Sequence, residues 1–233
     1  MPNLIDLSIP IRHGDGRLGL EVQFSTPYSY DTCNWQGSSF SMFCHYATHV
    51  DAPNHFIQGA KGIDQAPLTR LMGAASLVAL EDHGQGLDGG MGITADTLRA
   101  RGGHVRKGDI VILRTLWSDK HWGSAEFWRD GPYLSADGAD WLVERGAKAV
   151  VYDFSEEYVV RQPGFRGEDC VVHHRILGEE IYNIEYVHQL GRITAERLAI
   201  LALPLKLDGL DGAPARVVAI EGAELPAEFT VLS

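Results

Sequence analysis

The feature that most constrains the fold is a set of short runs that are apolar at both alternating sets of positions, as in Asp109–Arg114 and Ala149–Asp153. Such a strand has to be covered on both faces, which is typical of parallel strands inside an α/β sheet. Runs of β type are predicted at Leu4–Ile9, Phe40–His45, Ser76–Leu80, Asp109–Arg114, Ala149–Asp153, Ala199–Leu203 and Val217–Ile220. We therefore expect a mixed β-sheet.

Helix signals lie between these runs. Thr94 is a good N-cap residue and Gly102 is a stop, which predicts a helix that begins at Thr94 and ends before Gly102. Ser135 and Gly146 bound a second helix in the same way. Because each helix is followed closely by a strand, the alternation favours an α/β architecture in which helices flank the sheet. The stretch Ser118–Tyr133, rich in Trp, Gly and charge, is interpreted as a long surface loop.

The chain has no feature that divides it. No linker, charge run or internal repeat interrupts the 233 residues, and apolar segments recur throughout. Hydrophobic residues make up 45% and charged residues 22%, as in ordinary globular proteins. We expect a single domain over residues 1–233 with one large core.

The charge pattern and the cysteines narrow the function class. The net charge is −11, and no block of Lys or Arg stands out, so we do not expect nucleic acid as a partner. We expect a small-molecule substrate instead. The cysteines Cys33, Cys44 and Cys170 are isolated, which is typical of a reducing compartment. Without an export signal or a long apolar run, we expect a cytoplasmic protein with no membrane span.

The sequence carries a compact cluster of metal-binding residue types. Three of the 10 histidines fall with an aspartate in one short segment, at His45, His49, Asp51 and His55. Imidazole and carboxylate groups suit Zn²⁺, Mn²⁺ and Fe²⁺. A single histidine on an apolar strand is more often a hydrogen-bonded core residue, but four such groups at this spacing favour a metal site.

Neither regular secondary structure brings these groups together. In a straight strand His45 and His49 would stand about 13 Å apart at about 3.3 Å per residue, too far to share one ion. In a helix, six steps of about 100° would leave Asp51 roughly 120° around the axis from His45. We therefore predict a strand that ends near His45 and a tight bend through residues 46–48. The exit is then extended, which Pro53 supports because it disfavours helical conformation at the preceding residue.

The segment His45–His55 resembles the pattern His-x-Gly-Thr-His-x-Asp-x-Pro-x-His of the cyclase family, which includes bacterial kynurenine formamidases and isatin hydrolases. Ala47 replaces the glycine, so a left-handed backbone at the bend would cost more, but no ligand is lost. Weaker similarities run from Ile5–Ser8 through Val150–Asp153 to Leu203–Lys206. The resemblance implies the swivelling β/β/α fold of that family.

The resemblance also implies roles for the residues of the motif. His45, His49 and Asp51 are expected as ligands of a divalent metal, Zn or Mn, and His55 as the general acid/base beside it. The implied reaction is hydrolysis of a C–N amide bond in an arylformamide or a small cyclic amide by a metal-activated water. No Gly-x-Ser-x-Gly elbow indicates a serine nucleophile, and Cys44 is a poor candidate because its neighbour His45 is an expected ligand.

A second metal position is left open. In formamidases with two metals, a histidine and a glutamate twelve residues apart complete it, and that spacing falls on His173 and Glu185, with Asp51 bridging the ions. Isatin hydrolases resemble the same pattern with a single Mn²⁺, so either one or two ions are compatible with the resemblance. From the residues alone, His173 could be a helix-surface residue and Glu185 a solvated carboxylate. Of the adjacent pair we choose His173 over His174, because neighbouring helix residues point about 100° apart.

The chain departs from the formamidases after the predicted strand at Val150. Where those proteins resemble Asp-Thr-Pro-Ser, this chain has Asp153-Phe154-Ser155-Glu156-Glu157. Trp35, Phe40 and Phe154 are candidate substrate-binding residues of an aromatic-accepting pocket, although large aromatic side chains are more often core residues. An aromatic or heterocyclic amide is the expected substrate.

Two other functions compete with amide hydrolysis. The same metal site could open a lactone or catalyse a related ring-opening or dehydration, and a catalytically silent metal-binding protein is the alternative from another class. Retention of His55 argues against the silent protein, because such a module needs ligands but no proton shuttle. The resemblance further implies a homodimer or homotetramer.

Overall fold

The computed structural model describes residues 2–82 and 86–222. The strands are β1 (Asn3–Asp6), β2 (Gly16–Arg17), β3 (Leu20–Glu21), β4 (Gln23–Tyr28), β5 (Gly37–Ser41), β6 (His49–Asp51), β7 (Met72–Ala79), β8 (Gly92–Ile93), β9 (Ile110–Arg114), β10 (Tyr133–Leu134), β11 (Ala149–Tyr152), β12 (Tyr182–Glu185), β13 (Arg197–Pro204) and β14 (Gly212–Glu221). The α-helices are α1 (Tyr30–Cys33), α2 (Leu68–Leu71), α3 (Ala95–Arg101), α4 (Trp117–His121), α5 (Ala125–Asp130), α6 (Ala136–Glu144) and α7 (Val171–Gly178). Short 3₁₀ helices lie at Pro53–His55, Ile63–Gln65, Val159–Arg161, Gly167–Asp169 and Leu190–Arg192.

One large mixed sheet organises the fold. Its strand order is β1-β14-β13-β7-β9-β11-β12-β6, and β14 also pairs with β6, which closes the sheet into a barrel-like ring. The run β7, β9, β11 and β12 is parallel, whereas the remaining pairs are antiparallel. The predicted α/β fold, a single domain with a mixed sheet flanked by helices, is confirmed.

The two faces of the sheet pack into two separate cores. On one face Val111 of β9 joins a cluster with Leu98 of α3 and Leu142 of α6, which cover the sheet from outside. On the other face Ile112 joins a cluster with residues of other strands, such as Val217 of β14. The second cluster therefore fills the inside of the closed sheet. Both faces are apolar, as the sequence pattern predicted, because both are buried.

The two predicted helices are confirmed by their caps. The Thr94 side chain accepts a hydrogen bond from the Thr97 N–H and α3 is followed by Gly102, while the Ser135 side chain accepts from the Gly138 N–H at the start of α6. Each cap satisfies a backbone donor that the first turn of a helix leaves free.

Two sequence-based predictions of local structure are wrong. The stretch Ser118–Tyr133 is not a long loop, since it contains most of α4 and all of α5, and the buried Phe127 packs into the core. The strand predicted at Phe40–His45 ends at Ser41, where its pairing with β4 stops, and the chain turns at residues 44–45. The turn directs His45 away from the β4–β5 ribbon, which comprises residues 23–41, and into the cavity described below.

The short strand β6 fixes the position of the histidine segment. It lies between β12 and β14, so that His49 stands opposite Glu185 on one side and Gly212 stands opposite Asp51 on the other. The cavity opens beyond the carboxyl end of β11, a common place for ligands in α/β sheets. None of the helices in residues 2–82 and 86–222 is long and apolar enough to cross a membrane.

Candidate functional site

The histidine segment turns sharply before β6. Ala47 adopts the left-handed backbone conformation, with φ 56°, at the bend predicted for residues 46–48. The Thr48 hydroxyl holds the bend in place, since it donates to the Tyr186 carbonyl at 2.7 Å and accepts from the Ile9 N–H at 2.8 Å. The conformation is unfavourable for alanine, so these two bonds and the burial of Ala47 have to stabilise it.

His49 is fully buried, and one of its ring nitrogens has no hydrogen-bond partner. Its Nδ1 lies 2.8 Å from the Ala47 carbonyl oxygen, which makes Nδ1 the protonated nitrogen. Its Nε2 is 3.1 Å from Asp51 Oδ1 and 3.7 Å from Glu185 Oε2 but forms no hydrogen bond. A lone pair that faces carboxylate oxygens without a proton between them is unfavourable, and a cation at this point would remove the conflict.

His45 lies between two carboxylates. Its Nδ1 is 2.7 Å from Asp51 Oδ1 and its Nε2 is 2.9 Å from Asp211 Oδ2. Burial alone would lower the pKa of His45, but the two carboxylates raise it to about 9. Gly212 makes room for the ring, because a Cβ there would come within 2.7 Å of His45 Cε1. The site therefore requires glycine at position 212 for a close approach, not for its backbone freedom.

His55 is the most exposed of the three histidines in the motif, with 21% of its side chain accessible. It lies at the end of the 3₁₀ helix Pro53–His55, its ring stacks on His45 at a centroid distance of 3.8 Å, and it lines the cavity. Its Nδ1 is 3.3 Å from Asp211 Oδ2, a carboxylate that also contacts His45. Asp211 can therefore orient both rings.

His173 joins the cluster from helix α7, more than a hundred residues along the chain. Its Nε2 is 3.1 Å from Glu156 Oε1, 3.3 Å from Glu185 Oε1 and 3.6 Å from Asp51 Oδ2. Burial would lower the pKa of His173, but the surrounding carboxylates, Glu156 first among them, raise it well above its usual value. The neighbouring His174 is exposed and contacts the Gly167 carbonyl instead.

Three carboxylates of the cluster were not among the predicted site residues. Glu156 and Glu157 follow β11, and Asp211 directly precedes β14. Burial and the adjacent Glu185 carboxylate raise the pKa of Glu156 well above its usual value. An acidic pair just after an apolar strand was a usable signal for Glu156 and Glu157, because ligands of α/β sheets gather at that edge. Asp211 gave no such signal, because a single aspartate outside any motif looks like an ordinary surface residue in the sequence.

The side chains fit a divalent cation. Three groups have ligand atoms within 4.8 Å of one another, namely His45, Asp51 and His55; His49, Asp51 and Glu185; and Glu156, His173 and Glu185. Asp51 offers one oxygen to the side of His45 and His49 and the other to the side of His173. Buried carboxylates outnumber the cationic groups beside them, and unpaired buried charge is costly. A mixed set of imidazole and carboxylate donors suits Zn²⁺ or Mn²⁺.

The cavity beside the cluster is small, with a volume of about 170 Å³. Its apolar lining comes from Leu18, Phe43, Phe56, Val160 and Phe165. Arg17 also lines it, held by a 2.6 Å hydrogen bond to the Tyr186 hydroxyl.

The aromatic residues predicted to bind substrate do not line this cavity. Trp35 and Phe40 lie on the β4–β5 ribbon and are 50% and 58% exposed, and Trp35 stacks on Tyr28. Phe154 is fully buried in the core between the sheet and its helices. Aromatic residues near an active site in sequence can thus belong to a core or an exposed ribbon, and Phe43, Phe56 and Phe165 replace the three as the aromatic lining.

Comparisons with known proteins point to one family. The Cyclase family matches residues 5–156. Among curated proteins, a kynurenine formamidase of Bacillus cereus is 27% identical over 83% of this chain and 87% of its own length. A cyclase-like protein 1 of Oryza sativa subsp. japonica is 30% identical over 79% of this chain and 64% of its own length.

Solved structures share the fold. Isatin hydrolase A from Ralstonia solanacearum superposes with a TM-score of 0.79 at 23% identity, covering 94% of this chain and 92% of that one. An isatin hydrolase bound to the product analogue thioisatinate gives a TM-score of 0.80 at 19% identity, with coverage of 94% and 92%. At these identities the likeness concerns the arrangement of the chain.

Proposed function

Because this chain belongs to the Cyclase family, we propose that it is a metal-dependent hydrolase that cleaves a C–N amide bond in an arylformamide or a small cyclic amide. The names of its relatives support the proposal, since kynurenine formamidase and isatin hydrolase both act on non-peptide C–N bonds. The observation that carries the proposal is that nitrogen atoms of His45 and His49 both contact the same oxygen of Asp51, Oδ1. His55 lies beside them and lines the same cavity.

Zn²⁺ or Mn²⁺ would be held by His45, His49 and Asp51, with His173 and Glu185 next to them. When bound, such an ion polarises a carbonyl and brings the pKa of water toward neutrality. The protein's own contribution is to fix the ligands: the Ala47 carbonyl orients His49 through its Nδ1. A partner at the second ring nitrogen of a ligand histidine sets both its tautomer and its orientation.

His55 would handle the proton. In the hydrolysis, water adds its hydroxyl to the acyl carbon and its proton reaches the departing nitrogen, so one group must take up that proton and return it. A histidine has a pKa in the right range for both steps. His55 is partly exposed to the cavity, and Asp211, whose Oδ2 lies 3.3 Å from the His55 Nδ1, can orient the ring.

The substrate would be small and at least partly planar. The cavity of about 170 Å³ lies below the size of typical drug-like sites, about 300 Å³ and more. Phe43 and Phe56 offer ring surfaces on which an aromatic amide can pack.

The test is a screen of the metal-loaded full chain on an arylformamide, a cyclic imide and a lactone. We expect hydrolysis of at least one amide, loss of the activity on chelation and its return when Zn²⁺ or Mn²⁺ is added. Turnover of the lactone alone would reject the C–N assignment in favour of ring-opening of esters. A loaded protein that turns over none of the three would support the silent metal-binding protein.

We also propose that the chain forms a homodimer or homotetramer. The β4–β5 ribbon supports this, because it exposes Tyr28, Trp35 and Phe40 to solvent, and exposed apolar patches often mark protein contacts. Light scattering after size-exclusion chromatography should give two or four times the mass of the chain, and a monomer at micromolar concentration would reject the proposal.

A further inference from the structure

The loop after β11 carries a carboxylate that the proposed ligand set does not use. Glu156 is 1% exposed, and its backbone is anchored by a 2.9 Å hydrogen bond from the Leu134 N–H to its carbonyl. Just before it, the buried Asp153 accepts bonds from the Thr115 hydroxyl and from the Leu116 N–H. These contacts fix the loop at both ends of the four-residue segment 153–156, so the Glu156 side chain is directed inward by the fold.

Three carboxylates converge on one nitrogen of His173. Oxygens of Glu156, Glu185 and Asp51 lie 3.1, 3.3 and 3.6 Å from its Nε2. Glu156 Oε2 and Glu185 Oε1 are buried and have no hydrogen-bond partner of acceptable geometry. One imidazole cannot satisfy this many buried carboxylate oxygens, and buried polar atoms without partners are rare in native proteins.

The other nitrogen of His173 is already held. Glu157 Oε1 accepts the His173 backbone N–H at 2.9 Å and lies 3.2 Å from its Nδ1. This arrangement puts a proton on Nδ1, so Nε2, which faces the three carboxylates, is the nitrogen that can bind a cation. A carboxylate behind a histidine in this way is the usual support for a ligand histidine.

We propose that Glu156 is a further ligand of the second divalent-cation position, the one for which the family resemblance already implies His173, Glu185 and Asp51. Glu157 is its positioning residue, because it orients His173 without facing the cation. The inference rests on the proposed metal-dependent function at the same cavity. With three carboxylates and one imidazole, the second position is richer in oxygen than the first, and such a donor set suits Mn²⁺.

The test counts ions on the full chain after metal has been stripped from it. Titration with Mn²⁺ alone should load two ions per unmodified chain, and their proximity should give an exchange-coupled electron paramagnetic resonance spectrum. The Glu156→Gln variant keeps the shape but not the charge, and should bind one Mn²⁺ with an uncoupled spectrum. Glu144→Gln, at the exposed end of α6, removes one acidic charge elsewhere and should behave as the unmodified chain.

The Glu157→Gln variant tests the positioning role separately. It should still load two ions at saturation, but with an affinity for the second Mn²⁺ weaker by about 10- to 100-fold and an unchanged affinity for the first. Equal weakening at both positions, or at neither, would overturn the role of Glu157.

Circular dichroism of each variant separates lost binding from lost folding, and if Glu156→Gln unfolds, Glu156→Ala and Glu156→Asp are titrated in its place. Two coupled ions in a folded Glu156→Gln or Glu156→Ala variant, both of which lack the carboxylate, would overturn the proposal. An unmodified chain that binds a single Mn²⁺ and hydrolyses amides would overturn it while the proposed function stands. Two coupled ions lost in Glu156→Gln, without hydrolysis of any amide, would support it while the proposed function fails.

Discussion

Two regions of the molecule bury charged side chains, and they do so in opposite ways. At the cavity, buried carboxylates crowd around His45, His49 and His173, and atoms such as His49 Nε2 have no hydrogen-bond partner. At the amino end of β9, Asp109 is also buried, but it is fully matched. Its oxygens accept bonds from Arg197 Nη1 and Nη2 at 2.7 and 2.9 Å, and from the Ser76 hydroxyl at 2.7 Å.

The comparison distinguishes a structural ion pair from a site that expects a ligand. The Asp109 pair supplies its own counter-charge and donors, so nothing needs to be added to it. The cavity cluster contains more buried carboxylates than cationic groups, so the stability of the folded protein should respond to an added cation. Burial and charge alone therefore do not indicate a functional site. Buried ligand atoms that lack a hydrogen-bond partner and lie beside a cavity do.

The largest expected effect is on the rate of hydrolysis at the cavity. His55→Ala should leave fold and bound metal intact and lower the hydrolytic rate by about 10²- to 10⁴-fold, because it removes the proton-transfer contribution. His174→Ala is the matched control, since His174 is exposed and outside the cluster, and should change the rate little. Steady-state kinetics with metal analysis would decide it. Loss of metal would make His55 a ligand, and full rate with metal retained would exclude it as general base.

The next effect should appear at the matched region and only in stability. Arg197→Met leaves the Asp109 carboxylate buried without its counter-ion and should lower the free energy of unfolding by about 3 kcal/mol. Arg216→Met is the control, because the Arg216–Asp6 pair is exposed and its loss should change stability far less. Urea unfolding measures both. Equal losses in the two variants would contradict the distinction between buried and exposed pairs.

The same pair predicts the direction of a pH effect. Burial would raise the pKa of Asp109, but the bonds from Arg197 and Ser76 lower it below 3.8. A carboxyl group whose folded-state pKa is depressed stabilises the fold above its unfolded-state pKa, and that contribution is lost as pH falls through the folded-state pKa. The unmodified chain should therefore lose stability below about pH 4, and Arg197→Met should lose less over the same interval.

The regions also differ in how far the sequence predicted them. Helices α3 and α6 were predictable because Thr94, Gly102 and Ser135 are local signals, and strands β9 and β11 because both faces are apolar. The bend before β6 followed from the requirement that ligands meet. Strand β12 was not predicted, because Tyr182–Glu185 mixes polar and apolar residues. A helix at His173 was assumed in choosing that residue over His174, but the bounds of α7 were not predicted, because no side chain caps it.

The missing carboxylates of the cavity have a different explanation. Asp211 reaches His45 only because β14 pairs with β6 across the closed sheet, and such a pairing leaves no trace in the sequence around Asp211. Glu156 was visible as a departure from the family pattern, but its partner His173 comes from a helix with no strong signal of its own. Long-range pairing, rather than local propensity, thus decides which acidic residues enter the site.

The smallest expected effect is the stabilisation of the fold by added metal, and one experiment can compare it in variants of the two regions. Adding Zn²⁺ or Mn²⁺ to the stripped chain at about 100 times its Kd should stabilise the fold by about 2.7 kcal/mol, because the cation binds the folded cluster and not the unfolded chain. Asp51→Asn should abolish this increment, since Asp51 contacts both His45 and His49. Arg197→Met should retain it in full, because the two sites share no partner and distant effects add. Thermal and urea unfolding with and without metal would measure it. A metal increment that disappears in Arg197→Met would mean that the two buried charge clusters are coupled, and an increment that persists in Asp51→Asn would place the cation elsewhere.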